Sequence, residues 1–470
     1  MSFLSKQGRR EQALFEVVSM LRELDYWVEG WNEGEQHENG LRLGQYRTQV
    51  NAVYSEVHGA ASILKSSIDN LNLDADAGSV YEDCAIAERQ VLWVRRVWYF
   101  FRDKFDQRND DRFSGLLHAA DEVIWSCYRP FFQLSSNEVC VPEPAPLPYI
   151  DPDFSPSALR RDQRQALANK QADFTLMAEA FTELPVPILK IPTTTINNPW
   201  ALVLVGHEVG HIIGPLISSG FPARFREVIR SAVEEKGATE EDQEAWFGWA
   251  DEIFADLYSV ITMGQWAVWA LTQFETARET TMSERRFVYP SPVVRLGVIV
   301  ELAKKYGLSV ASATIPSQPS EEMTRDLNCI STVVDRIVAL PEICDLVRRL
   351  PFEKSRYEPN ETTGAPGEVG QWSRNLLGEG ASPMSNQLRS ARMIAAACAQ
   401  AWSERALVDA SVRHALGEVT VAKIRASFAP GVRSSTARAK GRHEPGRALF
   451  DSIVRNYEEL RQRYEGSLQY

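Results

Sequence analysis

Histidine and cysteine are scarce in this chain, and the cysteines are not paired. Only 7 of the 470 residues are histidine and 6 are cysteine. No CxxC pair occurs, which disfavours a disulfide framework and argues against a metal or redox role for the thiols. We therefore expect free, buried thiols in a reducing compartment. The cysteines are Cys84, Cys127, Cys140, Cys329, Cys344 and Cys398.

Long apolar runs and an excess of positive charge are also missing. No run approaches the length of a membrane span, and the first residues, MSFLSKQGRREQALFEVV, carry charges where a signal peptide has its apolar region. The formal net charge of -12 argues against a nucleic-acid binder, because phosphate contacts need clustered Lys and Arg. The sequence contains no Gly-rich phosphate loop, no GxSxG motif and no internal repeat. We expect a cytoplasmic protein without membrane or nucleic-acid partners.

Composition and periodicity favour a soluble, mainly α fold. The chain is 44% hydrophobic and 24% charged, and it is long enough for two or three domains. Apolar residues recur at helical spacing in the first third, for example Val50, Val53 and Val57. The segment VLWVRRVWYFFRDKF, residues 91–105, adds an aromatic stripe. We interpret this stripe as core in preference to a partner-binding face.

Four consecutive regions are predicted. Six prolines between residues 133 and 156 exclude a regular helix there and mark a boundary. The Gly/Pro-rich stretch at 351–385 is predicted to be a mobile loop. The regions are a helical bundle at 1–134, a Pro-rich linker at 135–156, a zincin-like, α-rich catalytic core with at most a small β element at 157–310, and a helical C-terminal region at 311–470.

Two elements are predicted at the start of the core region. Residues 157–184 are expected to form a helix, charged in its first half. The segment PVPILKIP follows, and its alternation and flanking prolines predict a short edge strand or an extended segment at 186–191. Such an edge could bind an extended substrate, and a plain packing loop is the equal alternative.

The stretch ALVLVGHEVGHIIG, residues 201–214, contains the strongest chemical signal. On a helix, residues four apart share a face, so His207 and His211 can bind one metal ion while Glu208 lies beside them. This is the HExxH arrangement of zinc hydrolases, and it predicts Zn²⁺ as the cofactor. Gly210 leaves one side of the helix bare, which would let another backbone or a substrate approach closely.

A downstream helical segment, ATEEDQEAWFGWADEIFADLYSVITMG, carries the carboxylates that such a site needs. Glu252 is the best candidate for the third zinc ligand, because two histidines and one carboxylate leave a fourth position for water. Asp256 lies one turn further on the same face and could accept the outer ring N–H of a ligating histidine. Asp251 is the alternative third ligand, although it points about 100° away from Glu252 on a helix.

The stretch YPSPVVRL, which follows, contributes two further candidates. Tyr289 lies at a Pro-induced bend before a predicted helix and could stabilise a developing oxyanion. Arg295 lies one turn into that helix and could pair with a site carboxylate or with the substrate.

Three of these segments resemble a known group. HEVGH followed by EIFAD looks like the gluzincin class of zinc metallopeptidases, in which the downstream Glu is the third ligand and the Asp four residues later supports a ligand. YPSPVVRL is similar to the HPxxxxRI element of the gluzincin families that include the CAAX-prenyl endopeptidases and the related heat-shock membrane proteases. In this likeness Tyr289 stands where those families have histidine, and Arg295 matches their arginine. The resemblance covers about residues 187–306.

The expected function is hydrolysis of peptide bonds by a zinc metallopeptidase. Zinc held by His207, His211 and Glu252 would acidify its bound water, and Glu208 would take the proton and pass it to the leaving amine. The expected substrate is an intracellular protein or peptide, and the flanking helical regions could bind a regulatory partner. The alternative is a non-enzymatic helical interaction or scaffold protein with a structural or vestigial zinc site.

Overall fold

Helices make up most of the chain, which confirms the predicted mainly α fold with a small β element. The structure is a computed structural model. It describes residues 5–33, 43–132, 144–160, 184–276, 279–285, 289–310, 320–350, 352–380, 384, 387, 389–406, 409–427 and 446–454.

The helices are numbered in chain order over the described residues. The first eight are α1 (Lys6–Glu33), α2 (Arg47–Asp69), α3 (Ala77–Asp106), α4 (Asp111–Phe132), α5 (Val205–Ile213), α6 (Phe221–Glu234), α7 (Glu240–Met263) and α8 (Gln265–Glu275). The next eight are α9 (Glu279–Met282), α10 (Pro292–Lys305), α11 (Glu321–Val338), α12 (Pro341–Arg349), α13 (Lys354–Tyr357), α14 (Glu368–Leu376), α15 (Ser390–Ala401) and α16 (Ala410–Ala426). Residues 447–454 are also helical.

Helices α1, α2 and α3 pack around a core of their own, because each carries an apolar stripe at helical spacing. Trp98, Phe101 and Phe105 of α3 are almost completely buried in it. The interpretation of this aromatic segment as core is therefore confirmed for these three rings. Trp27 of α1 packs edge-on against both Trp98 and Phe105, at centroid distances of 6.5 and 5.6 Å.

A three-stranded sheet follows the bundle in the chain. Its strands are β1 (Leu147–Asp151), β2 (Ser157–Leu159) and β3 (Ile188–Pro192), in the order β1-β3-β2. β3 pairs in parallel with β1 and antiparallel with β2. The prediction of an extended segment near 186–191 is correct, but its edge position is wrong, since β3 is the central strand.

The predicted helix at 157–184 is wrong at its start. Ser157, Ala158 and Leu159 form strand β2, because they pair with β3, a tertiary contact that local periodicity does not encode. Residues 161–183 lie outside the described part of the chain. β2 also lies against α5, so the end of the sheet reaches the HExxH helix.

The sheet separates two apolar cores. Ile188 and Tyr149 point into the core of helices α1 to α3, whereas Leu189, Ile191 and Ile150 point into a second, larger core. This division follows from the alternation of side chains along a strand. Both faces of the sheet are therefore covered by helices.

Helix α4 belongs to the second core, together with α5, α7 and most later helices. It lies within the region 1–134 that the sequence assigns to one bundle, and β1 lies within the predicted linker at 135–156. The domain boundaries stay a prediction.

In the described part of the predicted mobile loop, Tyr357 of α13 and Trp372 of α14 are buried. The mobility itself stays a prediction.

The cysteines partly follow the expectation. Cys84, Cys127, Cys329 and Cys398 are free and buried, whereas Cys344 is free but exposed, so the prediction of burial is wrong there. Cys140 lies outside the described residues.

No single described helix has the length and apolarity to cross a membrane, although the bent pair Pro199–Leu216 and Phe221–Glu234, at 107° to one another, passes that test jointly.

A buried ionic cluster anchors the start of α7. Thr239 and Asp242 form a reciprocal capping box. Asp242 is almost fully buried and also accepts hydrogen bonds from Arg285 at 2.7 Å and from Arg325 at 2.8 Å. Burial alone would raise the pKa of Asp242, but these arginines and Thr239 outweigh it and lower the pKa below its usual range.

Asp242→Asn is expected to lower the free energy of unfolding by about 1.5–3 kcal/mol at pH 7, because it removes the charge from a buried carboxylate that accepts hydrogen bonds from two arginines. Arg285 keeps Asp326 and Glu322 as partners. A depressed pKa stabilises the fold above the unfolded-state value, about 3.9, and this contribution is lost as the pH falls below it. Stability should therefore decline less steeply between pH 5 and 3 in the variant. The measurement is denaturant unfolding at several pH values, with Asp110→Asn as control, since Asp110 pairs with a largely exposed arginine and should matter little.

Candidate metal centre

The HExxH helix is short and is packed against α7 through glycines. Pro199–Leu204 form a 3-10 turn, and α5 continues from it over nine residues. A Cβ atom at Gly210 would lie 2.9 Å from both the Cα of Ala255 and the Cβ of Tyr258 on α7. At Gly214 it would lie 3.0 Å from the ring of Phe254. The sequence left open whether another backbone or a substrate approaches Gly210. In the structure it is the backbone of α7, so the two helices lie close together.

This contact assembles the three predicted metal ligands. The Nε2 atoms of His207 and His211 are 3.0 Å apart. Glu252 of α7 places Oε2 at 3.3 Å from His207 Nε2 and Oε1 at 3.4 Å from His211 Nε2. Ligands bound about 2.0–2.2 Å from a tetrahedral zinc ion lie roughly 3.3–3.6 Å from one another. The two contacts of Glu252 fall in this range, and the two histidine nitrogens lie slightly closer together. The three side chains can therefore hold a metal ion.

Two further observations fit a cation at this place. Glu252 Oε2 is buried and accepts no hydrogen bond within the described structure. The carboxylates of Glu252, Asp256 and Glu275 surround the guanidinium of Arg295, at 3.3, 3.0 and 2.9 Å, which leaves an excess of buried negative charge that a proton on His207 offsets only in part. Uncompensated buried charge is unfavourable, and a divalent cation would balance it.

Asp256 and Arg295 lie directly behind the ligands. Asp256 Oδ1 is 2.8 Å from His207 Nδ1, the ring nitrogen that faces away from His211. Arg295 donates to both oxygens of Asp256 at 3.0 Å. The carboxylate thus fixes which nitrogen of His207 is available to a metal ion, and the guanidinium fixes the carboxylate.

The electrostatic field at the ligands favours positive charge at His207. Burial alone would lower the pKa of His207, but the Asp256 carboxylate outweighs it and raises the pKa to about 10. Burial lowers the pKa of His211. For Glu252 burial acts upward, yet His211, His207 and Arg295 together hold the pKa well below its usual range. A metal ion that binds His207 would have to displace this proton.

Glu208 and Tyr289 have perturbed acidities at the same centre. Burial raises the pKa of Glu208 to about 7, which is near the value that a general base at neutral pH requires. Burial, aided by the charges of Glu252 and Glu208, raises the pKa of Tyr289 to about 12, so its hydroxyl keeps its proton. Tyr289 is half-buried.

Asp251, the alternative third ligand, is not part of the cluster. Its two oxygens each accept a hydrogen bond at 2.9 Å, one from Arg160 and one from Arg226. Asp251 lines a cleft beside His211, but its oxygens are held by the two arginines and not by the predicted ligands.

Glu275 is a member of the site that the sequence did not reveal. It is buried at the end of α8, and its Oε1 is 2.9 Å from Arg295 Nη1. A signal was present, because Glu275 is the only charged residue of α8 and lies in its last turn, where the helix dipole disfavours negative charge. A carboxylate kept in such a place needs a cationic partner, but the sequence does not indicate which one.

The chain was compared with known protein families, curated proteins and solved structures. None matches. The resemblance to gluzincins therefore stays an expectation from the segments HEVGH, EIFAD and YPSPVVRL. These three segments lie on α5, on α7 and at the start of α10, and their side chains meet at one centre.

Gly210→Ala is expected to push α5 away from α7, because the new methyl group would overlap the Ala255 backbone. Overpacking of this kind costs about 1–3 kcal/mol of unfolding free energy. The separation of Glu252 from the two histidines should also weaken zinc binding. Both effects can be measured, by denaturant unfolding and by competition with a chromophoric chelator.

The matched control is Gly30→Ala on α1, where the added methyl group meets nothing within 4 Å. That variant should be neutral or slightly more stable, because alanine is the better helix former. An unchanged zinc affinity in Gly210→Ala would show that helix spacing does not set the ligand geometry.

Proposed function

We propose that this protein is a zinc-dependent metallopeptidase. The observation that carries the proposal is the convergence of His207, His211 and Glu252, each of which offers one ligand atom within 4.8 Å of the other two, as binding of a single ion requires. Glu208, next to the first histidine, supplies the base that hydrolysis requires.

The donor set favours zinc among divalent ions. Two imidazoles and one carboxylate suit Zn²⁺, whereas Mg²⁺ and Ca²⁺ prefer all-oxygen sites with more ligands. Three protein ligands also leave one position for the reacting groups, as catalytic zinc sites do.

Each residue has a role in the proposed reaction. A bound Zn²⁺ would supply Lewis-acid chemistry, acidifying water and polarising the scissile carbonyl. Glu208 takes the proton of the attacking water and delivers it to the leaving amine, which its raised pKa allows. The Tyr289 hydroxyl, protonated at neutral pH, donates a hydrogen bond to the oxygen that gains negative charge. Asp256 and Arg295 hold His207 in the orientation that presents Nε2.

The substrate class is a protein or peptide. The likeness to gluzincins supports this substrate class, and the pairing of a metal centre with a general base supports hydrolysis as the reaction. We also propose that the helical regions on either side of the site bind a regulatory protein.

The second candidate is a scaffold protein in which zinc has a structural role. One observation favours it: the side chains of His207, His211 and Glu252 are only 11–14% exposed, and structural sites are closed. The two functions differ in the effect of a chelator. Removal of zinc should abolish cleavage in a peptidase and chiefly lower the melting temperature in a scaffold.

Glu208→Gln should retain zinc and lose peptide hydrolysis by a factor of about 100 or more, because the amide cannot accept the proton. The measurement compares cleavage sites in a peptide library by mass spectrometry, with metal content measured in parallel. Glu418→Gln, an exposed glutamate on α16, serves as the control and should cleave like the parent. Equal cleavage by Glu208→Gln and the parent would refute the assignment of the base.

His211→Ala should lose the metal, since two ligands hold zinc far more weakly than three. Elemental analysis of the purified protein measures this directly. The control is His414→Ala, which removes an exposed histidine that lies 3.4 Å from Glu418 on α16. Zinc retained at the parental stoichiometry in His211→Ala would contradict the proposed ligand set.

A further inference from the structure

We propose that Glu275 is a positioning residue of the metal site. It acts by holding the guanidinium of Arg295, which in turn orients Asp256 and His207. The inference deepens the proposed function and rests on its metal site, but it concerns metal affinity and ligand geometry, which can be measured without any substrate.

The contacts form a continuous chain from Glu275 to a metal ligand. Glu275 Oε1 lies 2.9 Å from Arg295 Nη1. The opposite edge of the guanidinium, Nε and Nη2, donates to the two oxygens of Asp256 at 3.0 Å each. Asp256 then contacts His207 Nδ1 at 2.8 Å. The planar guanidinium transmits orientation because its donors are fixed relative to one another.

Charge gives Glu275 a second effect. Arg295 Nη2 lies 3.3 Å from Glu252 Oε2 and 3.3 Å from His207 Nε2. These are two of the atoms that would bind a metal ion. A cation at that distance competes with the metal ion for both ligands. Glu275 attracts the guanidinium from its other edge, and its negative charge offsets the repulsion between Arg295 and a bound ion.

The location of Glu275 indicates more than a general ion pair. The residue is 7% exposed and lies in the last turn of α8, where both burial and the helix dipole disfavour a carboxylate. These costs are offset within the cluster around Arg295, which is itself 6% exposed. The cluster is built around the metal ligands, so its geometry and theirs are linked.

The test uses Glu275→Gln, which keeps the shape of the side chain and removes its charge. The zinc dissociation constant, measured by competition with a chromophoric chelator, should rise roughly 10- to 100-fold, the range found when groups that support metal ligands are changed. Co²⁺ in place of zinc should give an altered visible absorption spectrum, because the spectrum reports ligand geometry. The measurements are made well below the melting temperature of both proteins.

The matched control is Glu301→Gln on α10, the helix that carries Arg295. Glu301 pairs with Lys304 and Lys305 on the outer side of that helix, so zinc affinity and the Co²⁺ spectrum should stay unchanged. A purely structural role for Glu275 would lower the melting temperature of Glu275→Gln and leave both metal measurements at parental values. That outcome would overturn the proposal.

Action through Arg295 is tested by combining Glu275→Gln with Arg295→Lys. Lysine has no second edge to relay orientation, so the loss of affinity in the double variant should be smaller than the product of the two single losses. Independent, multiplicative effects would overturn the proposed route.

If Glu275→Gln does not fold, Glu275→Asp replaces it. This variant keeps the charge but withdraws the carboxylate by one methylene from Arg295, and it should also weaken zinc binding. An unchanged dissociation constant would overturn the proposal. Absence of peptide cleavage by the zinc-loaded parent would instead remove the proposed function and leave the role of Glu275 at the metal site intact.

Discussion

The close approach of two helices is the constraint on which the site depends. α5 supplies two histidines and α7 supplies the carboxylate, and neither helix alone can surround an ion. Gly210 and Gly214 remove the side chains that would keep the helix axes apart. The spacing of the ligand atoms, 3.0 to 3.4 Å, is thus set by backbone contact, which is stiffer than any contact between long side chains.

Around this contact, charge is arranged in layers. The ligands His207 and Glu252 meet Asp256 and Arg295, and Arg295 meets Glu275. Negative and positive groups alternate outward from the ligand atoms, so each layer stabilises the next. Three carboxylates against one guanidinium leave an excess of negative charge, which a proton on His207 offsets in part and a divalent cation would offset fully.

Much of this was readable from the sequence, and the parts that were not have a common cause. The histidine pair on α5 and the pair of Glu252 and Asp256 on α7 each depend on spacing within a single helix, and local periodicity encodes them. Glu275 and Arg295 lie on different helices, 20 residues apart, so their pairing exists only in the folded chain. The same reason applies to residues 157–159, which have a helical pattern but form a strand because they pair with β3. It also applies to the central position of β3 in the sheet.

The sheet ties the N-terminal helices to the rest of the fold. Because Ile188 enters one core while Leu189 and Ile191 enter the other, strand β3 is hydrophobic toward two sets of helices at once. Removal of helices α1 to α3 would expose the Ile188 side of this strand to water. The N-terminal helices are therefore not a detachable addition, because the sheet needs them to bury one of its two faces.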